Sequence, residues 1–179
     1  EENKMASNFD KYAYTKNGVV ETSALLATTY GRHILNLVCE SDLENGCVAK
    51  VGAYKEAEVY KAEAPAITDE IVLIANQVKI YEEYNTKMQE ESQYYIKKGE
   101  IAQGDDLDRH DRFALSKESF GADANPEVGE YVGVEAGKFK LTTLGKSAPA
   151  KGTRGFVAII EDVAKNGNFR IHVLRNMAV

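Results

Sequence analysis

Phe156-Val157-Ala158-Ile159-Ile160-Glu161 and Phe169-Arg170-Ile171-His172-Val173-Leu174 flank the dipeptide Asn166-Gly167. The first run is compact and apolar, as a buried strand is. The second alternates and closes the set. Asn-Gly tolerates the positive φ angles of a tight hairpin turn, so residues 156–174 predict a β-hairpin. The same texture continues upstream. Residues 130–134 read as a strand, Ala136-Gly137 as a tight turn, and residues 138–142 as an alternating strand. Four strands in roughly 50 residues, joined by turns, predict a small C-terminal β-barrel or sandwich over residues 126–179.

Toward the N-terminus, Glu70-Ile71-Val72-Leu73-Ile74-Ala75 is the strongest single strand signal, a bounded apolar run rich in β-branched residues. Shorter strands are predicted at residues 19–21, 47–52, 58–62 and 111–116. Residues 33–38 fit a strand or one buried helical turn. Thr22 or Ser23 is placed to cap a short helical turn through Leu26. Residues 82–98 lack Gly and Pro, and Tyr81, Tyr84, Met88 and Tyr95 share one helical face, so a helix or a long ordered loop is expected before Gly99. The fold class is mainly β with a minor α+β element. The expected units are an N-terminal arm (1–17), a β-rich body (18–125) and a small C-terminal β domain (126–179).

Charge and composition narrow the function. The 179 residues carry 22 Lys and Arg against 28 Asp and Glu, a net charge of −6. Phosphate neutralisation needs a local excess of cations, so a broad nucleic-acid surface is not expected. No apolar run approaches the roughly 20 residues that span a bilayer, so no membrane partner is expected. The polar residues 1–7 lack a signal-peptide pattern, which predicts a protein made and kept in a cytoplasm until assembly. Cys39 and Cys47 are too few for a structural zinc site. A disulfide across the turn Glu44-Asn45-Gly46 is possible, and two small buried thiols in a reducing compartment are the simpler expectation.

Asp105, Asp106, Asp108, His110 and Asp111 form the densest polar group. Carboxylates suit a hard cation, but an EF-hand loop needs Gly at its sixth position and Glu at its twelfth, and here these are His110 and Ser116. His110-Asp111 also occurs in some metal phosphohydrolases. A solvated turn between two strands is the favoured reading. The chain has no nucleophile elbow, phosphate-binding loop or dinucleotide fingerprint. No catalytic residue, resident metal or cofactor is therefore expected. The Lys146, Lys151 and Arg154 loop can meet an acidic partner or a phosphate, or simply be solvated. Contact residues are sought among aromatics, which present a large apolar body with a polar tip. The candidates are Phe9, Tyr12 and Tyr14 in the arm, and a stripe of Tyr81, Tyr84, Tyr94 and Tyr95, of which Tyr81 and Tyr84 are the leading pair; the alternatives are an arm that packs on its own domain and a stripe that packs in the core.

Several segments in order carry a resemblance: Gly18-Val19-Val20-Glu21, Leu43-Glu44-Asn45-Gly46 with Val48-Ala49-Lys50-Val51-Gly52, Glu58-Val59-Tyr60, the apolar run 71–75, Lys98-Gly99-Glu100-Ile101-Ala102, Leu107, Asp111-Arg112-Phe113-Ala114-Leu115-Ser116 and Val128-Gly129-Glu130-Tyr131-Val132-Gly133. Over roughly residues 18–175 this order resembles small virion structural proteins of tailed bacteriophages. It departs from their pattern at Gln103-Gly104-Asp105, where a basic residue is expected. The resemblance implies a non-catalytic head decoration or head-fibre protein. Its expected partner is the major capsid protein, its expected place is the capsid surface of the virion, and it is expected to be a homo-oligomer. A receptor- or glycan-binding virion module is the alternative, and a metal-assisted hydrolase using residues 105–111 is the second.

Overall fold

The protein is described here by a computed structural model over residues 16–30, 34–81 and 86–179. In chain order the strands are β1 (Val20–Ala24), β2 (Ile34–Val38), β3 (Val48–Glu56), β4 (Val59–Glu63), β5 (Val72–Ile74), β6 (Ile101–Asp106), β7 (Arg112–Leu115), β8 (Tyr131–Val134), β9 (Leu141–Gly145), β10 (Phe156–Val163) and β11 (Phe169–Asn176). A five-residue helix, α1 (Leu26–Tyr30), follows β1, and single 3-10 turns form at Thr86–Gln89 and Lys117–Ser119. The mainly β class is as the sequence predicts; the one α-helix among the described residues starts at Leu26, and Thr22 and Ser23, expected to cap it, lie within β1.

Strands β2-β4-β3-β5-β6 close into a barrel. Its neighbours are antiparallel except β2 and β4, which run parallel. The interior is narrow because small residues line it. Ala49, Ala62 and Ala102 are buried there beside Leu37, Val72 and Ile74. A Cβ added at Gly104 would stand 2.7 Å from Leu37 Cδ1 and 3.0 Å from Val72 Cγ2, so any side chain at that point of the wall would displace core side chains. Met88, Tyr94 and Ile96 join the same cluster from the long segment before β6. Reciprocal backbone bonds between Leu43 and Ile96, at 2.9 and 2.8 Å, hold that segment in place.

The second layer is an antiparallel sheet in the order β1-β7-β11-β10-β8-β9. One face carries Phe113, Leu115, Val132, Phe156, Ala158, Ile160, Ile171 and Val173, all buried. Val48, Leu73 and Leu107 from the barrel segment pack into the same cluster. Alternation along β5 explains how. Val72 and Ile74 face the barrel interior while Leu73 faces the sheet, so all three residues are buried. A strand covered on both faces reads as a continuous apolar run, which is the signal found at 70–75.

Two expectations need correction, and one open alternative is resolved. The closed barrel is built from residues within 34–106, whereas the strands of residues 126–179 form one side of an open sheet that β1 and β7 complete. The ladder from β7 to β11 therefore crosses the connector at 121–127. The strand expected at 138–142 is β9, Leu141–Gly145. Residues 135–138 turn instead, Phe139 packs on the barrel cluster, and its carbonyl accepts the Val48 N–H at 2.7 Å. The stretch 82–98 takes the loop alternative, with a 3-10 turn at Thr86–Gln89 and no α-helix among its described residues. Of the expected arm, residues 1–15 lie outside the described residues. Asn17 is fixed by its N–H on Ser92 O (2.7 Å) and its side-chain amide on Gln93 O (2.9 Å).

A single side chain pins the layers. Asn176, at the end of β11, donates to Ile71 O (2.8 Å) and Leu107 O (2.9 Å) and accepts the Ile71 N–H (3.0 Å). Removing it strands polar backbone groups at the layer boundary, each costing about 1–3 kcal/mol if left unpaired. Asn176→Ala is expected to lower unfolding stability by roughly 3 kcal/mol, read as a shift of the urea midpoint at unchanged m value.

Candidate functional site

Of the aromatic candidates, Phe9, Tyr12, Tyr14 and Tyr84 lie outside the described residues. Tyr81 is 94% exposed and its neighbour Ile80 67% exposed. Tyr94 is 1% exposed in the barrel cluster, and Tyr95 packs half-buried against it. The stripe is therefore split between surface and core. Its helical spacing does not describe a segment that turns at 86–89 and then bridges to Leu43 at Ile96. The backbone just before Ile80 is held firmly. Lys79 N–H donates to Met88 O at 2.9 Å, and its ammonium meets both Glu100 carboxylate oxygens at 2.9 Å. That bridge holds the Glu100 carboxyl below the usual carboxylate range. Ile80 and Tyr81 stand just beyond this anchor.

Sequence reasoning missed Tyr54. It lies on the β3–β4 hairpin, whose outer half leaves the barrel, so β3 turns from buried to exposed along its length. Tyr54 is 61% exposed and meets Tyr60 edge-on, with ring centroids 5.6 Å apart. The pairing ends at Glu56 and Val59, which leaves Ala57 and Glu58 as the turn. Both have positive φ, 47° and 61°. A two-residue hairpin turn requires that conformation, and Asn-Gly supplies it most readily. Ala-Glu does so at a cost, and the absence of a turn dipeptide is why the hairpin was not read from sequence.

The acidic stretch does not converge. Asp111 is buried, and its two carboxylate oxygens take backbone N–H groups: Leu26 at 3.0 Å and Asp108 at 2.8 Å. It caps α1 and closes the 108–111 turn. Burial still pushes its carboxyl upward, against the pull of those two bonds. Asp105 lies on the outer side of β6. It accepts from the Gln103 amide at 3.1 Å through Oδ1, while Oδ2 is buried with no hydrogen-bond partner among the described residues. Asp108 is exposed. Among the described residues, no group of three or more His, Cys, Asp or Glu is arranged to hold a metal ion.

The basic loop is fastened rather than free at two of its three charges. Lys146 pairs with Glu127 at 3.1 Å, and the Arg154 guanidinium donates to Val134 O at 3.0 Å; Lys151 is exposed. Cys39 and Cys47 are free and buried, and burial pushes the Cys47 thiol up to about 11. His33 and its neighbours Gly31 and Arg32 lie outside the described residues. The outer face of the sheet carries a groove of about 390 Å³ bordered by Glu21, Ser23, Arg112, Glu161 and Arg170, with Arg112 and Glu161 bridged at 3.0 Å. No protein-family model, curated protein or solved structure matches the chain.

Asp105 yields a test with a definite sign. Burial pushes its carboxyl above the usual range, with the Gln103 hydrogen bond opposing only in part. The folded state then binds the proton more tightly than the unfolded chain. Asp105 therefore weighs against folding at neutral pH, and this burden lifts as pH falls through the folded value toward about 3.9. Asp105→Asn is expected to gain about 1 kcal/mol at pH 7. Paired urea titrations of the two proteins at pH 7 and pH 4.5 should show the gap narrowing at the lower pH.

Proposed function

We propose that the protein is a tailed-bacteriophage virion structural protein that binds the outside of the capsid, as a head decoration or head-fibre anchoring protein, and is not an enzyme. The observation that carries this reading is the exposed aromatic and apolar surface at two anchored projections, Ile80-Tyr81 beside the Lys79–Glu100 bridge and Tyr54 on the β3–β4 hairpin. Aromatic side chains held on rigid supports suit a protein contact, because little side-chain entropy is lost on docking. A capsid offers many equivalent sites, so modest contacts repeated over a homo-oligomer give firm attachment. The net charge of −6 keeps a densely displayed protein soluble. The sequence resemblance over residues 18–175 supports the same role. The phage's major capsid protein is the proposed partner.

The reading is tested by sedimenting the purified protein with assembled capsids of the phage that encodes it. Saturable binding at a fixed number of copies per capsid is expected. The double variant Tyr54→Ala, Tyr81→Ala should weaken it by about 2 kcal/mol or more, some thirty-fold, while the chain stays folded with at most the small drop in melting temperature that loss of the Tyr54–Tyr60 ring contact brings. A protein that stays in the supernatant at capsid saturation would refute the reading. Binding to a glycan array in place of capsids would favour a receptor-binding module.

A further inference from the structure

His110 has φ +77°, a left-handed conformation that is uncommon for a residue with a side chain. The backbone around it is held on both sides. Its N–H donates to Val173 O at 2.8 Å, and Val173 N–H donates to Asp111 O at 2.9 Å, while the Asp111 carboxylate closes the turn at Asp108. This brings the exposed His110 ring over the outer face of β11. Its Nδ1 lies 3.2 Å from Nε2 of His172, with the ring planes 36° apart.

His172 is oriented in turn. Its Nδ1 lies 2.6 Å from Glu161 Oε1. Glu161 sits where the β10–β11 register slips between Ile160 and Asp162, an irregularity of the kind that re-aims a side chain. Arg112 Nε donates to the other Glu161 oxygen at 3.0 Å. That bond, and then His172, hold the Glu161 carboxyl below the usual range. An ionised carboxylate only accepts, so the neutral His172 ring carries its proton on Nδ1 and turns the Nε2 lone pair toward His110.

The spacing has a second meaning. Two imidazole nitrogens at about 2.0–2.1 Å from one tetrahedral zinc ion stand roughly 3.3 Å apart. Moving the His110 proton from Nδ1 to Nε2, with a small turn of this exposed ring, would direct two lone pairs at one point. The Glu161–His172 arrangement is the carboxylate–histidine pairing that orients metal ligands and raises their basicity. Imidazole favours zinc, nickel and copper over magnesium or calcium.

We propose that His110 and His172 bind one divalent transition-metal ion of the zinc, nickel or copper type, with Glu161 positioning His172 and water completing the coordination. Because no third His, Cys, Asp or Glu joins them among the described residues, the site is open and exchangeable. His172 and Glu161 belong to the sheet and His110 to the turn that leads into β7, whereas the residues assigned to capsid contact lie on or between barrel strands, so either proposal can fail alone.

The test is calorimetric titration of the full chain with zinc chloride and with nickel chloride in a non-coordinating buffer. One ion per chain is expected, reversed by chelator. His110→Gln and His172→Gln should each abolish that binding. Glu161→Gln should keep the stoichiometry and weaken affinity about 10–100-fold, the usual effect of losing a carboxylate behind a ligating histidine. His110 is exposed, so His110→Gln decides the matter even if His172→Gln fails to fold. A wild-type chain that takes up neither ion would overturn the proposal, as would a His110→Gln variant that binds as the wild type does.

Discussion

Val72–Ile74 must satisfy two cores at once. Its first and third side chains fill the barrel, and its middle one belongs to the sheet cluster. Its backbone is paired on one side by β3 and on the other by β6, and the residue before it is paired through Asn176 of β11. Three residues buried on both faces must themselves be apolar, and an unpaired backbone group among them would be costly. The remaining architecture follows from that demand. Small residues keep the barrel wall close around Leu37 and Val72, and the sheet turns its apolar face toward Leu73. The surface left over is the hairpin beyond Tyr54, the Ile80-Tyr81 projection and the outer face of the sheet.

What could be read from the sequence was local. The β10–β11 hairpin announced itself through Asn166-Gly167 and the alternation on either side, although only Gly167 of that pair has positive φ, +86°, and the connection is a longer loop closed by Gly167 N–H on Ala164 O at 2.9 Å. The run at 70–75 identified β5, because a doubly covered strand shows no alternation to confuse. Partnership across the chain was not legible. Closure of the barrel depends on the parallel pairing of β2 with β4, and periodicity carries no information about which strand lies beside which. For the same reason residues 126–179 resemble a separate unit in sequence, while in the structure β7 and β1 complete their sheet.

The site residues divide along the same line. Tyr81 was visible as a candidate, but Tyr94, grouped with it as a tyrosine-rich contact stripe, is core. Tyr54 was hidden because a strand that outruns its barrel has the same sequence texture as one that stays inside. Asp111 was visible as an acid, but its role as a cap depends on Leu26, 85 residues away. His110 and His172 are 62 residues apart and meet only because the 108–111 turn lies at the end of the β7–β11 ladder. The three side-chain-bearing residues with positive φ are Ala57, Glu58 and His110, counted among the described residues. Two form the tip of the hairpin that carries Tyr54, and the third carries the histidine pair. Strain of this kind persists only where the surroundings over-determine it.

The central claim is that barrel and sheet form one cooperative body joined through Val72–Ile74. Native-state hydrogen exchange measures this directly. The slowest amides of the barrel, at Ile74 and Ala102, and those of the sheet, at Ala158 and Ile171, should open with a common free energy equal to that of global unfolding. Sheet amides that stay protected under conditions where the barrel amides have already exchanged would show two independent bodies and contradict the claim.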